Sequence, residues 1–107
     1  MDKDNFSIEF NNEIDEVKKS ENEIYTLAVE RINKLTEGQH DISGAMVNLK
    51  HPAGGQSHIY EVTVVVYMGT DHIAATEKNE QLKATLFGAL DAVERQVRQF
   101  REQRRNY

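Results

Sequence analysis

Residues 58–77 read HIYEVTVVVYMGTDHIAATE. Tyr60, Val62, Val64, Val66 and Met68 alternate with Ile59, Glu61, Thr63, Val65 and Tyr67. That period of two belongs to a strand, and the density of β-branched residues marks a central strand covered on one face. Gly69, Thr70 and Asp71 form a tight turn signal, and residues 72–77 return as a short strand.

The segments upstream supply the pairing partners of this hairpin. Residues 41–50, DISGAMVNLK, place Ala45, Val47 and Leu49 on one side of another strand. Between it and the hairpin, HPAGGQS (residues 51–57) holds the only proline and a glycine pair, a turn or loop. At the start, FSIEFNN (residues 6–12) alternates Phe6, Ile8 and Phe10 with polar neighbours, as a strand with one buried face does. Residues 13–19, EIDEVKK, are expected to be a polar connection.

Two helices cover the sheet. Residues 20–38 begin with Ser20 and Glu23 in capping-box spacing and end on Gly38, which suits the left-handed position after a last turn. Ile24, Ala28, Ile32 and Leu35 make the apolar stripe, widened by Tyr25 and Val29, with Leu27, Arg31 and Lys34 along one flank. From Asn79 to Arg105, Leu82, Leu86, Ala89, Leu90, Val93, Val97 and Phe100 keep a helical register. At 1.5 Å per residue this helix is roughly 40 Å long, so its last turns are expected to overhang the sheet. Gly88 within it costs about 1 kcal/mol against alanine, which a close contact with the first helix or the sheet would explain. The predicted fold class is α+β, in the order β-α-β-β-β-α. Both helices pack on one face of a four-stranded sheet, and residues 1–107 form a single domain.

The composition narrows the function. The chain carries a net charge of -5, yet residues 94–107 hold Arg95, Arg98, Arg101, Arg104 and Arg105 against only Glu94 and Glu102. The first 23 residues hold eight acids against three lysines. This polarity points to an anionic partner at one surface. With no cysteine, a disulfide and a thiolate zinc site are excluded. Neither an export signal nor a long apolar run is present, so the expected location is the cytoplasm, without membrane association.

No phosphate loop, dinucleotide fingerprint or nucleophile elbow occurs in the chain, so no catalytic residue, cofactor or small-molecule substrate is expected. His51 and His58 bracket the glycine loop, with Glu61 nearby. Their spacing matches no metal signature, and no metal site is expected there.

The cations carry more information. On a helical wheel Lys83, Arg98, Arg101 and Arg105 lie along one flank of the last helix's apolar stripe, with Arg95 a little further round. Arg31 and Lys34 extend this surface if the helices lie side by side. Arginine suits bidentate contact with phosphate, and a backbone-binding surface needs no base-reading code. RNA or another polyanion fits this stripe, and so does a protein with an acidic face.

Three stretches also resemble a known family, the ribosome hibernation-promoting factors and ribosome-associated inhibitors, or sigma-54 modulation proteins. ERINKL (residues 30–35) is similar to the family's first-helix pattern. Residues 51–78 resemble the hairpin of a short subgroup, and ALDAVERQVRQFREQRR (residues 89–105) resembles the last helix and its basic end. The resemblance implies a fold like double-stranded RNA-binding domains. It also implies a bacterial protein, monomeric when free, that binds the small ribosomal subunit and its rRNA where mRNA and tRNA would sit. Such a protein restrains translation in stationary phase or stress. By position Arg31, Lys34 and Arg95 match basic residues of the family, and Lys83, Arg98, Arg101 and Arg105 complete the expected RNA-binding set. The chain departs from the family in carrying Ala92 where a lysine is common, and Gln81 and Lys83 where Asp-x-Tyr is usual. It also ends at Tyr107, without the C-terminal domain of the longer members that pair ribosomes.

Overall fold

The computed structural model describes residues 7–15, 18, 21–37, 41–55 and 58–105, excepting the side chains of 21, 22, 104 and 105. Ser20, Gly38 and Phe6, expected to cap the first helix and open the first strand, lie outside the described residues.

The elements run β1 (Ser7–Asn12), α1 (Glu21–Thr36), β2 (Gly44–Lys50), β3 (Tyr60–Met68), β4 (Asp71–Asn79) and α2 (Leu82–Arg105). The strands lie side by side in chain order, β1-β2-β3-β4. β1 and β2 are parallel, which requires the crossover that α1 supplies. The other two pairs are antiparallel hairpins, with β3 central against both β2 and β4. At the β3–β4 turn Gly69 takes a φ of 64°, which side chains other than glycine's rarely tolerate. The return strand spans nine residues, longer than its short alternating run indicated.

Register places the apolar rows together. Val66 pairs with Ala45 and Ile73, and Val64 with Val47 and Ala75. Val62, Val64 and Val66 are fully buried, as are Val47 and Leu49 beside them. One core joins this face to Ile24, Ala28 and Ile32 of α1 and to Leu86, Ala89, Leu90, Val93 and Val97 of α2, so both helices cover the same side. The opposite face carries Thr63, hydrogen-bonded to Thr76 at 2.8 Å, and Glu61, flanked by Lys50 and Lys78.

Three features depart from the pattern-based reading or refine it. The segment expected to be a polar connection buries Ile14, which is 1% exposed and part of the core. Its backbone is pinned there: Glu13 N–H donates to the Leu49 carbonyl at 2.9 Å and Ile14 N–H to the Asn12 side chain at 2.9 Å. With only Ile14 and Val17 apolar in residues 13–19, there is no period to single Ile14 out. Gly88 faces the sheet: a Cβ there would stand 3.3 Å from Cγ of Glu77 on β4. Finally, α2 remains covered further than its length implied. Val97 is buried, Phe100 packs against the core and Arg101 is tied to the end of α1 and to the segment before β2, which leaves only the last turn to overhang. Among the described residues no helix is long and apolar enough to cross a membrane.

Truncating Ile14 leaves a cavity that the sheet end cannot collapse into, so Ile14→Ala is expected to cost about 2–4 kcal/mol in urea unfolding. Asp15→Ala, at an exposed neighbour, is expected to stay within about 0.5 kcal/mol of wild type.

Candidate polyanion interface

The cationic flanks of α1 and α2 meet because both helices must lie on one sheet face. Arg31 leaves α1 toward α2, where it donates to Asp91 and, at 3.3 Å, to Glu94. Its guanidinium carbon also stands 5.9 Å from the centre of the Phe87 ring. At the other end of the seam Lys83 of α2 reaches back to Glu23 of α1 at 2.8 Å, an exposed pair. Seven candidate cations therefore do not behave alike.

Arg101 is the most constrained of them. Its Nε and one terminal nitrogen donate to the two oxygens of Asp41, each at 2.8 Å, and that nitrogen also donates to the Leu35 carbonyl at 2.9 Å. The side chains of Arg101 and Asp41 are only 20% and 27% exposed. This fork-to-fork pair locks the end of α1, the start of the β2 segment and the end of α2 to one another. Charge-assisted bonds of this geometry are strong when partly shielded from water.

Lys34, Arg95 and Arg98 face solvent. Among the described residues Lys34 and Arg95 have no ion-pair partner, and Arg98 has only a loose i,i+4 contact with Glu94 at 3.7 Å. Arg105 belongs to the last turn of α2, but its side chain lies outside the described residues. A shallow groove of about 210 Å³ runs between the end of α1 and α2. Lys34, Arg98 and Arg101 line it together with Leu35, Val97, Glu37 and Glu94.

The stripe read from the sequence as purely cationic is thus mixed. Asp41, Glu23, Asp91 and Glu94 pair with the candidate cations, and these pairings were not foreseen from the sequence. A helical wheel does place Asp91 and Glu94 among the arginines on the same flank of α2, and that much was readable. The partners themselves, 60 and more residues away in the chain, follow no local period.

Of the histidines, His51 supports the loop before β3. His51 Nδ1 donates to the Ile59 carbonyl at 2.8 Å, and its ring stacks on Tyr60 at 5.7 Å between centres. Among the described residues no group of three or more His, Asp or Glu side chains could hold a metal ion.

The family model described as sigma 54 modulation protein / S30EA ribosomal protein matches residues 17–105. No curated protein matches the sequence. Among solved structures, a ribosomal subunit interface protein from Coxiella burnetii is similar with a TM-score of 0.71 at 11% identity, over 90% of this chain and 98% of that one. The Protein Y N-terminal domain from Thermus thermophilus is similar with a TM-score of 0.62 at 20% identity, over 89% and 94%. At these identities the likeness establishes the fold.

The contrast between the arginines is measurable. Arg101→Ala removes three hydrogen bonds at a partly shielded site, two of them to Asp41, and should lower stability by about 1–3 kcal/mol in urea unfolding. Arg98→Ala, at a side chain 64% exposed, should change it by less than about 0.5 kcal/mol.

Proposed function

This chain belongs to the sigma 54 modulation protein / S30EA ribosomal protein family, and from that membership we propose that it is a cytoplasmic ribosome-associated translation inhibitor or hibernation factor. It binds small-subunit rRNA through the outward flanks of α1 and α2, and its body then occupies space that tRNA and mRNA need. Occupancy alone accounts for the effect, and no bond is made or broken.

The observation that carries this reading is the set of solvent-facing cations, Lys34 from α1 and Arg98 from α2 on one groove, with Arg95 one turn before Arg98 on the same helix. Two helices presenting cations in parallel suit a ribose-phosphate backbone, whose charges also run in parallel rows. These three make the first phosphate contacts. Arg31 and Lys83, paired within the chain, add to the local positive potential, and Arg101 holds the frame. The S30EA ribosomal protein description and the likeness to a ribosomal subunit interface protein support the choice of the ribosome as the polyanion.

Co-sedimentation with purified small subunits tests it. With about three phosphate contacts, binding should weaken about 20- to 40-fold between 50 and 200 mM salt. Replacing Lys34, Arg95 and Arg98 together by Glu should abolish pelleting at the lower salt. Failure of the wild-type protein to pellet at low salt, or unchanged pelleting of the triple variant, would overturn the proposal. Recovery of a single acidic protein from lysate, insensitive to RNase and lost in the triple variant, would instead identify a protein partner.

A further inference from the structure

Glu94 occupies an unusual place for an acid. One of its oxygens accepts from Arg31 at 3.3 Å, and the other stands 3.7 Å from Arg98. It also lines the groove that Lys34 and Arg101 share. Glu94 therefore lies among four cations drawn from both helices, Arg31, Lys34, Arg98 and Arg101, with Glu37 also on the groove and Asp91 also on Arg31. A phosphate seated between Arg31 and Arg98 would take the same place and the same donors, since guanidinium groups accept carboxylate and phosphate with similar geometry.

We propose that Glu94 is a built-in competitor for the polyanion, which RNA must displace to gain the full cationic surface. The inference rests on the polyanion reading of the preceding subsection. Its physical basis is the contrast between the acids of the seam. Asp41 grips Arg101 with two 2.8 Å bonds and is not exchangeable at little cost. Glu94 holds its two arginines at longer range and is 40% exposed, so its contacts are of the weak kind that a denser anion replaces. Asp91, 62% exposed, keeps Arg31 in position while Glu94 leaves.

The resting surface offers Lys34, Arg95 and Arg98, and displacement of Glu94 releases the share of Arg31 that Asp91 does not hold and frees Arg98 completely. Closely spaced phosphates can drive that exchange, whereas a dilute or singly charged anion gains too little from it. Glu94 therefore acts as a discriminator of charge density, and it raises the threshold for capture of stray nucleic acid.

The test uses a fluorescein-labelled RNA hairpin of about 20 nucleotides, with fluorescence anisotropy read across a salt series. Glu94→Gln keeps the shape and removes the charge. It is expected to bind about three- to tenfold more tightly than wild type at 0.1 M salt, with a salt slope steeper by about one phosphate contact. Glu80→Gln removes the same charge just before α2, about 20 Å along the helix, beyond the screening length. It should change affinity less than about twofold. Thermal melts of both variants check that the fold is retained. If Glu94→Gln binds no more tightly than Glu80→Gln, the inference is wrong even where the wild type still pellets with small subunits. If no version binds the hairpin at low salt, the inference is also overturned. Binding by Glu94→Gln alone would support it and leave subunit co-sedimentation to decide the wider function.

Discussion

Val62, Val64 and Val66 form one unbroken buried row along the central strand, and the structure is organised around covering it. Neighbouring rows on β2 and β4 widen the apolar surface beyond what one helix of about 10 Å diameter can shield. Two helices are needed on the same side, and they must then touch each other along a seam. Burial of apolar area at about 25 cal/mol per Å² dominates this arrangement, so the charged flanks take whatever neighbours the hydrophobic packing gives them. That is why Arg31 meets Asp91 and Glu94, and why Lys83 meets Glu23. The polar surface is a consequence of the core.

The seam separates cations by function in a way that residue type does not. Arg101 is largely shielded from water, and its fork is filled by Asp41 and a backbone carbonyl. Arg98, three residues earlier, is mostly in water. One turn of helix thus carries an arginine that holds loops together and another that is available to a partner. Burial and hydrogen-bond geometry decide between the two roles, because a shielded, bidentate pair is costly to exchange and an exposed, long one is not.

The elements that repeat with a period could be read from the sequence, and those that do not could not. The β3 alternation, the α1 stripe from Ile24 to Ile32 and the α2 stripe from Leu82 to Phe100 each gave their element, its buried face and its approximate bounds. The antiparallel pairing of β2, β3 and β4 and the common side of the helices were expected, whereas the parallel β1–β2 pair, made through the α1 crossover, was not specified. Ile14 escaped because two apolar residues, Ile14 and Val17, among acids and lysines are too few to set a period, although Ile14 fills the core where the β1 connection turns. The candidate cations were chosen by residue type and helical angle. Their partners were not, since Arg31–Asp91, Lys83–Glu23 and Arg101–Asp41 each join residues 60 apart. A helical wheel gives direction from an axis and says nothing about what lies there.

The acidity of the whole chain is then less of a contradiction to polyanion binding than the net charge of -5 makes it look. Exposed charges act over a screening length of about 8–10 Å at physiological salt. Glu9 points from the open face of the sheet, and Glu80 stands before α2; both are remote from the groove between Lys34 and Arg98. Their effect on a phosphate in that groove is largely screened. Glu94 and Glu37 line the groove itself, and Asp91 adjoins it through Arg31. The electrostatic character of the interface is therefore set by a local inventory of three acids against Lys34, Arg95, Arg98 and Arg31. In that inventory the position of a single carboxylate weighs more than the balance of the rest of the molecule, and an acidic protein can carry a cationic working surface.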